Sequence, residues 1–306
     1  MGKVKLLFMI PTLGQGGAEK VLVNLVNNLD KTRFDITVLT LFDGGVNKQF
    51  LKPWIKFRAC MPYPFRGNTY FLKLFSPERL YRRFIREKYD IVVSYLEGPT
   101  ARIVSGCFDE EVKLVSWIHS EQYNMTLLAK AFRSPKEALR CYNRFDQTVC
   151  VSSSIQEDFC KILHFKNPCK VLYNTLETSN IIKQSMEKAP ELLDDQKMRL
   201  IAVGTLKKVK GFERLLKIVK RLTEENYPVH LYVLGKGPQE KMLQQYILDN
   251  NLEKSITLLG YKMNPYRIIS KCNLFVCSSF SEGFSTATLE AMIVGTAVCT
   301  VEVPGM

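Results

Sequence analysis

Several patterns that mark common classes of protein are missing from this sequence. It has nine cysteines, none of them at Cys-x-x-Cys spacing, only three histidines, and no Asp-x-Asp pair. Structural zinc sites and thiol redox centres usually need such spacings, so we expect no metal and no cofactor. An odd number of cysteines without a paired pattern favours free thiols and a cytoplasmic compartment.

Long apolar runs are also missing. The first one, VKLLFMI at residues 4–10, has seven residues and runs directly into Pro11. A membrane-spanning helix needs ~20 apolar residues, and a secretory leader has a cleavage site after its apolar part. We therefore expect neither a leader nor a membrane span, and at most a peripheral association with the inner face of the cell membrane.

Acidic residues are scarce in the first half of the chain. Residues 1–175 carry 26 Lys and Arg against 16 Asp and Glu, whereas residues 176–306 carry 17 against 14. A basic excess favours an anionic partner such as a phosphorylated substrate, a membrane surface or a nucleic acid. A basic surface without any partner is the alternative.

Short apolar runs alternate with longer amphipathic stretches, which favours parallel strands covered on both faces. Strands are predicted at residues 4–10, 35–41, 90–96, 113–119, 147–152, 199–206, 229–235, 255–260 and 273–279, and after Gly295. The polar stretch 176–198 predicts a linker between two doubly wound α/β domains, residues 1–175 and 199–306. Because the chain ends at Met306 directly after a strand, we expect the second domain to be incomplete.

The stretch IPTLGQGGAEKVL, residues 10–22, predicts a strand end, a glycine-rich loop and a helix start. The amides of Gly16 and Gly17 would then approach an anionic ligand at a helix N-terminus. The spacing is not the Gly-x-Gly-x-x-Gly of dinucleotide sites, although Asp43 after the second strand leaves a nicotinamide site open. A plain tight turn is the alternative.

A second strand–loop–helix lies in VGTLKKVKGFERLLKIVKRL, residues 203–222, where Lys207, Lys208 and Lys210 crowd the loop. A lysine beside a helix N-terminus suits a diphosphate, and a solvated basic loop is the alternative. The stretch VLGKGPQEKMLQQYI, residues 233–247, repeats the arrangement and is typical of an ordinary turn between a strand and a helix.

His119 closes the predicted strand at residues 113–119. The carboxyl end of a parallel strand is where an active site is expected in this architecture, so His119 is a candidate catalytic residue. A histidine with a purely structural role is the alternative.

Two glutamates, Glu282 and Glu290, flank the start of a predicted helix within SEGFSTATLE, residues 281–290. Gly283 makes one continuous helix unfavourable, so we expect Glu282 in the loop. Ser285 or a neighbour would be the N-cap, with Glu290 about one turn inside the helix. A carboxylate suits vicinal hydroxyls and the exposed helix amides suit an anion. A nucleotide sugar, with a ribose diol, a diphosphate and hexose hydroxyls, fits all of these groups.

These segments, in this order and with LGYKMNPYRIISKCNLFVCSSFSEGFSTATLEAMIVGTAV, resemble the retaining GT-B glycosyltransferases of family 4. The resemblance covers almost the whole chain, and its Glu-x7-Glu motif is the most specific part. It implies an α/β protein of two Rossmann-like domains that face each other across a cleft. The second domain would hold most of the nucleotide sugar. Family members continue for roughly another helix–strand–helix, which agrees with an incomplete second domain.

The resemblance also implies roles for individual residues. In the second domain, the donor would be bound at the ribose by Glu290, at the sugar by Glu282 and the amides of Gly283, Phe284 and Ser285, at the diphosphate by Lys210, and at the base by the backbone around Tyr261 and Lys262. In the first domain, Gly16 and Gly17 would lie near the phosphate and sugar. His119 would lie near the reacting sugar, which makes His119, Glu282 and Lys210 the candidate catalytic residues.

The implied reaction moves a hexose-type sugar from a nucleoside-diphosphate sugar, such as a UDP-sugar, to a glycan or lipid-linked saccharide acceptor in cell-surface polysaccharide synthesis. The anomeric configuration would be retained, and no nucleic acid is expected as a partner. The family usually has an arginine where this chain has Thr205. That departure and the short C-terminal end leave a second hypothesis open, a catalytically weak GT-B scaffold or partner subunit that binds nucleotide sugar or glycan without transfer.

Basic and aromatic residues are mixed within residues 52–90, which hold ten Lys or Arg and three acidic residues. From Pro77 onward the apolar residues are expected to share one helical face with arginines on its flanks. These apolar residues are Leu80, Tyr81, Phe84 and Ile85. Such a helix suits an anionic membrane surface, and an ordinary helix docked on the first sheet is the alternative.

Overall fold

The computed structural model describes residues 2–122, 124–163, 169–192 and 196–306. The described residues form two compact units, which divide between Thr175 and Leu176. Each unit is built on one parallel sheet with helices between successive strands.

The first unit contains a seven-stranded sheet in the order β3-β2-β1-β4-β5-β6-β7. Its strands are β1 (Val4–Ile10), β2 (Phe34–Phe42), β3 (Lys56–Met61), β4 (Ile91–Ser94), β5 (Lys113–Ile118), β6 (Gln147–Cys150) and β7 (Cys169–Val171). Strand β1 pairs in parallel with β2 and with β4. It is central in the sheet, so its continuous apolar run is buried on both faces.

Helices connect these strands. They are α1 (Gly17–Asn28), α2 (Asn68–Lys73), α3 (Pro77–Phe84), α4 (Pro99–Val104), α5 (Met125–Leu128), α6 (Pro135–Tyr142) and α7 (Ser153–Leu163). Several start where the sequence supplies a cap: the hydroxyls of Ser76 and Ser134 accept from backbone amides at the starts of α3 and α6, and a proline follows each serine.

The second unit contains a five-stranded sheet in the order β10-β9-β8-β11-β12. Its elements are α8 (Thr178–Ser185), β8 (Met198–Val203), α9 (Phe212–Glu224), β9 (Val229–Leu234), α10 (Glu240–Asp249), β10 (Ile256–Gly260), α11 (Tyr266–Ile269), β11 (Leu274–Cys277), α12 (Thr286–Ile293) and β12 (Ala297–Thr300). One apolar cluster packs on each face of the sheet, the first around α9 and the second around α11 and α12.

The predicted strands are all present with ends within three residues of the prediction, but two strands were missed. Strand β3, KFRACM, alternates charged and apolar residues at the edge of the sheet, so it lacks the continuous apolar run on which the prediction depended. Strand β7 has three residues and lies at the other edge. Edge strands are covered on fewer sides, and their sequences are therefore less apolar.

The stretch predicted as a linker, residues 176–198, contains part of the second unit. Helix α8 lies within it and packs against α11 and α12. Ile181 of α8 is buried in the same apolar cluster as Tyr266 and Ile269. Residues 193–195 of the predicted linker lie outside the described residues.

Helix α3 is not available to a membrane as predicted. Its apolar residues Leu80 and Tyr81, and Ile85 directly after it, are buried in the first unit, where α3 packs on α4. The alternative, an ordinary helix docked on the domain, is therefore correct for these side chains. Within the described ranges, no helix is both long and apolar enough to cross a bilayer.

The strand order creates one switch point in each sheet, where consecutive connections turn to opposite sides. In the first unit it lies between β1 and β4, and in the second between β8 and β11. Ligands of open α/β sheets bind at the carboxyl ends of the strands beside such a point. The loops that follow these four strands contain most of the predicted site residues.

Candidate functional site

An ion pair joins the two loops at the switch point of the second sheet. Lys210 follows β8 and Glu282 follows β11, 72 residues further along the chain. Nζ of Lys210 lies 2.7 Å from both carboxylate oxygens of Glu282. The carboxylate is buried, with 8% of the side chain exposed, whereas the lysine side chain is 28% exposed. The structure therefore brings together two of the three predicted catalytic residues.

The backbone around Lys210 is fixed by the facing loop. Gly211 has a φ of +66°, and a Cβ at this position would collide with the carbonyl oxygen of Ser278, so only glycine fits without strain. The Ser278 hydroxyl donates to the carbonyl oxygens of Lys210 and Gly211, both at 3.1 Å. The amide of Phe280 donates to Val209 O at 2.7 Å. These bonds hold Lys210 where it reaches Glu282.

Arg214 is a basic residue of this site that the sequence analysis missed. Its Nε donates to Ser278 O at 2.6 Å, and a second guanidinium nitrogen donates to Ser279 O. The guanidinium carbon lies 4.1 Å from the centre of the Phe280 ring. Arg214 is inside α9, where arginine is common, so no sequence signal marked it out.

Glu290 lies inside α12 and Glu282 in the loop before it, which is the placement predicted for the two glutamates. Glu290 is buried, and its Oε1 accepts a hydrogen bond from the Tyr266 hydroxyl at 3.3 Å. Burial raises the pKa of Tyr266, and the Glu290 carboxylate raises it further. Tyr266 thus stays a neutral hydrogen-bond donor beneath the carboxylate.

The loop residues Gly283 and Phe284 lead into α12, and Ser285 is its N-cap residue as expected. The Ser285 hydroxyl does not cap the helix, however. It pairs with the Thr288 hydroxyl at 2.8 Å and does not accept from the first amides of the helix. The start of α12 therefore carries a partial positive charge beside Glu282.

Tyr261 and Lys262 follow β10, at the edge of the sheet and separated from β8 by β9. The ammonium of Lys262 lies 3.3 Å from Glu191 Oε1 and forms an ion pair with it. The side chain of Lys262 is thus held by the protein.

The glycines of VLGKGPQ have a structural explanation. A Cβ on Gly235 would collide with the carbonyl oxygen of Gly204, and one on Gly237 would come within 2.5 Å of Leu206 O. Leu206 N also donates to Lys236 O at 3.0 Å. Two loops pack backbone to backbone here, so the reading of this motif as an ordinary turn is supported.

In the first unit, the glycine-rich loop between β1 and α1 is held from one side by the segment after β2. The Asn47 side chain donates to Gly14 O, and the Asn47 amide donates to Leu13 O at 3.0 Å. Gly16 is the N-cap of α1, and the Glu19 carboxylate lies so close that an added Cβ on Gly16 would collide with it. Gly17 is exposed at the first position of the helix.

Asp43 does not point to a nucleotide. Its carboxylate accepts from Lys48 Nζ at 2.8 Å and from the Gly44 amide at 2.7 Å. The Lys48 ammonium and the Gly44 amide hold the pKa of Asp43 below its ordinary value. Both bonds are local, which removes the basis for a nicotinamide site.

His119 directly follows β5, and its ring lies against Tyr95, with ring centres 4.7 Å apart. Burial lowers the pKa of His119 to about 3, so the imidazole is neutral at physiological pH. Its Nε2 is shielded from solvent, and the described part of the chain offers it no hydrogen-bond partner. The hydroxyl of Tyr95 and Nε1 of Trp117 have the same status. A shielded polar atom without a partner is unusual in a folded protein and is a feature of functional sites.

Glu97 is the second residue that the sequence analysis missed. It follows β4, which pairs with β5, and its carboxylate accepts from the His119 amide at 3.0 Å and from the Ser120 hydroxyl. Burial raises the pKa of Glu97. Glu97 therefore fixes the backbone that carries His119. A single glutamate after a predicted strand was the only available signal.

Across residues 2–122, 124–163, 169–192 and 196–306, no three His, Cys, Asp or Glu side chains are grouped in a way that could hold a metal ion. The polar groups in the loops at and beside the two switch points are an ammonium, carboxylates, an imidazole and backbone amides. These are groups that bind hydroxyls and phosphates.

Comparison with known proteins identifies two family matches. The model described as Glycosyltransferase Family 4 matches residues 15–180, and the model described as Glycosyl transferases group 1 matches residues 183–306. Together they cover both units.

One curated relative is N-acetylgalactosamine-N,N'-diacetylbacillosaminyl-diphospho-undecaprenol 4-alpha-N-acetylgalactosaminyltransferase of Campylobacter jejuni, 27% identical over 97% of this chain and 80% of its own length. Another is the lipopolysaccharide core biosynthesis glycosyltransferase LpsD of Rhizobium meliloti, 23% identical over 90% of this chain and 72% of its own length.

Among solved structures, the Anabaena protein Alr3699/HepE in complex with UDP and glucose superimposes with a TM-score of 0.77. It is 20% identical, and the match covers 99% of this chain and 82% of that chain. At this identity the likeness establishes the fold, which is GT-B. Because the first family match alone spans more than half of the sequence, the chain belongs to the family 4 glycosyltransferases.

Proposed function

We propose that the chain transfers a hexose-type sugar from a UDP-sugar to a glycan or lipid-linked saccharide acceptor, with retention at the anomeric carbon. The observation that carries the proposal is the Lys210–Glu282 ion pair at the switch point of the second sheet, with Glu290 one helix turn further on. A ligand that satisfies this arrangement needs hydroxyls at both ends and negative charge between them. A nucleoside-diphosphate sugar has this order of groups.

Glu290 is proposed to bind the ribose. Its Oε1 already accepts from Tyr266, and a carboxylate oxygen has two lone pairs, so it can accept a ribose hydroxyl as well. The base would lie against the backbone of Tyr261 and Lys262. This segment follows β10 at the same, carboxyl edge of the parallel sheet.

Lys210 and Glu282 are proposed to act at the diphosphate and the sugar. A lysine ammonium has three donors, and Lys210 directs two of them at Glu282, which leaves one for a phosphate oxygen. Glu282 would accept sugar hydroxyls, assisted by the amides of Gly283, Phe284 and Ser285 at the uncapped start of α12. The partial positive charge there favours the diphosphate.

In the proposed reaction, the bond between the anomeric carbon and the diphosphate oxygen breaks, and the acceptor oxygen bonds to that carbon on the same face. The acceptor proton passes to the departing diphosphate. Lys210 and the helix amides stabilise the charge that develops on the leaving group. His119 would bond a sugar hydroxyl as a neutral imidazole, since its pKa is about 3. Gly16 and Gly17 would approach the phosphate and sugar from the start of α1.

The acceptor is proposed to be lipid-linked or part of a cell-surface polysaccharide. The Campylobacter relative is named for a diphospho-undecaprenol saccharide, and the Rhizobium relative for lipopolysaccharide core synthesis. The basic excess of residues 1–175 suits an acceptor that carries a diphosphate. We accordingly place the enzyme in the cytoplasm, peripheral to the inner face of the membrane.

A mass-spectrometric screen of nucleotide sugars tests the proposal. We expect one or a few UDP-sugars to bind and to be hydrolysed slowly to UDP, and we expect NMR of the transfer product to show the donor's anomeric configuration. Binding without hydrolysis or transfer would favour the second hypothesis, a catalytically weak GT-B scaffold. That hypothesis is based on Thr205, which stands where the family usually has an arginine. An inverted product would contradict the same-face reaction.

A further inference from the structure

The connection between β3 and α3 exposes an unusual amount of apolar surface. We call residues 62–75 the aromatic segment. Three of its side chains are more than two-thirds exposed: Tyr63 at 71%, Tyr70 at 76% and Leu74 at 72%. Phe65, Phe71 and Phe75 are also exposed, and their rings form an edge-to-face chain with neighbouring centres 5.7 and 5.4 Å apart. Contiguous exposed apolar side chains mark interaction surfaces.

Acidic residues are absent from this part of the sequence. Between Asp43 and Glu78 the chain has no Asp or Glu but six Lys or Arg, of which Arg66 and Lys73 lie within the aromatic segment. Arg79, Arg82, Arg83 and Arg86 follow directly and are exposed. Lys48, Lys56 and Arg58 form ion pairs with Asp43, Asp35 and Glu87. The basic border of the apolar projection therefore consists of Arg66, Lys73 and the four arginines that follow, with Glu78 among them.

The C-terminal part of the aromatic segment is anchored to the first unit by buried side chains. Leu72 is the buried residue of α2. Arg102, itself 1% exposed and paired with Glu137, donates to Leu72 O at 3.0 Å and Phe75 O at 2.8 Å. Arg133 donates to the two carbonyls between them. Two guanidinium groups thus satisfy four consecutive carbonyls at the end of α2, which anchors the backbone of residues 72–75 to the first unit.

We infer that the aromatic segment docks on an anionic lipid surface, with Tyr63, Tyr70 and Leu74 entering the boundary between headgroups and acyl chains. Aromatic and leucine side chains with a basic border are the groups that this boundary favours, and the charge is complementary to anionic lipid. A protein partner of ordinary composition would not call for the complete lack of acidic residues. The membrane contact is thus assigned to the aromatic segment and not to α3, whose apolar face is buried. This inference rests on the proposed function, in which the acceptor is lipid-linked.

Co-sedimentation of the full chain with vesicles tests the inference. We expect binding to vesicles of phosphatidylcholine and phosphatidylglycerol at low salt, and weaker binding at high salt or with phosphatidylcholine alone. The double variant Tyr70→Ser/Leu74→Ser should lower the partition coefficient by about tenfold, since two large apolar contacts are lost. Arg66→Gln/Lys73→Gln should lower it severalfold and reduce its salt dependence.

A matched pair on the second unit is the control. Tyr227 and Leu248 are also exposed, at 55% and 47%, so Tyr227→Ser/Leu248→Ser removes the same chemistry elsewhere and should leave vesicle binding unchanged. Equal loss in both pairs, or no binding of the wild type to anionic vesicles at low salt, would overturn the inference. So would a wild type that is dimeric without vesicles while Tyr70→Ser/Leu74→Ser is monomeric, because the segment would then bind a second copy.

Vesicle binding needs neither donor nor acceptor, so it separates this inference from the proposed function. A protein that hydrolyses a UDP-sugar but ignores vesicles retains its function and loses the docking surface. A protein that binds vesicles through Tyr70 and Leu74 but never turns over a donor retains the surface and loses the function.

Discussion

In the second unit, the candidate site consists of charged groups that are already paired. Lys210 holds Glu282 through both carboxylate oxygens, and Glu290 accepts from Tyr266. In the first unit, the loop after β5, next to the switch-point strand β4, presents a neutral imidazole. Its Nε2 has no partner in the described ranges, and Glu97 fixes its backbone. The site in the second unit is thus ionic, whereas the candidate group in the first unit is a neutral aromatic ring that follows β5.

The difference is consistent with the proposed roles of the two units. Breaking a partly buried ion pair is costly, so the Lys210–Glu282 pair keeps the site of the second unit organised before a ligand arrives. Such a site suits a charged ligand such as a diphosphate. A neutral, unsatisfied nitrogen gains a hydrogen bond when a hydroxyl arrives and loses nothing. The first unit therefore suits an uncharged group such as the sugar.

The largest effect is expected when the Lys210 ammonium is removed from the site of the second unit. We expect Lys210→Ala to slow the single-turnover reaction. The activation free energy should rise by ~2–4 kcal/mol, which is typical for the loss of one preorganised electrostatic donor. Lys208, two residues earlier and exposed, is the matched control, and Lys208→Ala should change the rate little. If Lys210→Ala stays within twofold of the wild type, the charge on the diphosphate is stabilised elsewhere.

The ion pair itself can be separated from its role in turnover. Lys210→Met leaves the buried Glu282 carboxylate without its cation, so this variant should melt at a lower temperature than the double variant Lys210→Met/Glu282→Gln. A double variant that is as unstable as the sum of both single changes would mean that the two residues act independently.

Because the folded protein holds His119 neutral, its stability should fall as the pH is lowered. Its folded pKa of about 3 lies below the ordinary value of 6.5, so the unfolded chain takes up the proton first as the pH falls. The contribution of the neutral His119 to the free energy of unfolding is fully present above about pH 6.5. It declines below that pH, by about 2 kcal/mol at pH 5. Chemical denaturation at pH 7.5 and 5 should show this share in the wild type and not in His119→Gln. The same pH dependence in both proteins would argue that His119 is not held neutral.

The smallest effect is expected beneath the ribose site. Tyr266→Phe removes the hydroxyl that donates to Glu290 and keeps the buried ring. Because Tyr266 would act on UDP only by orienting Glu290, we expect a loss of about 1 kcal/mol, smaller than for a direct bond to a charged group. UDP should therefore bind roughly fivefold more weakly while the melting temperature changes little. Unchanged UDP affinity would remove Tyr266 from the account of the donor site.

The sequence predicted much of this and missed the rest for physical reasons. Strand β1 and the loop and helix positions of Glu282 and Glu290 follow from local patterns of apolar residues and glycine. The Lys210–Glu282 pair joins residues 72 positions apart, and it depends on β8 lying beside β11. Alternation of strands and helices does not specify that neighbour.

The same limit applies to the first unit. Glu97 meets His119 because β4 pairs with β5, a fact of strand order that no spacing in the sequence records. The amphipathic pattern of α3 correctly predicted a helix, but periodicity cannot tell a face that meets a bilayer from one that packs on the rest of its own domain. Burial of Leu80 and Tyr81 decided between them.

Calorimetric titration of UDP into three forms of the full chain tests the division most directly. Glu290→Ala should weaken UDP binding by tenfold or more, since a hydrogen bond to a charged group contributes about 1.5–3 kcal/mol. His119→Ala should bind UDP within twofold of the wild type, because UDP lacks the sugar that His119 is proposed to contact. Equal losses in the two variants, or full affinity in Glu290→Ala, would contradict the assignment of the nucleotide to the second unit.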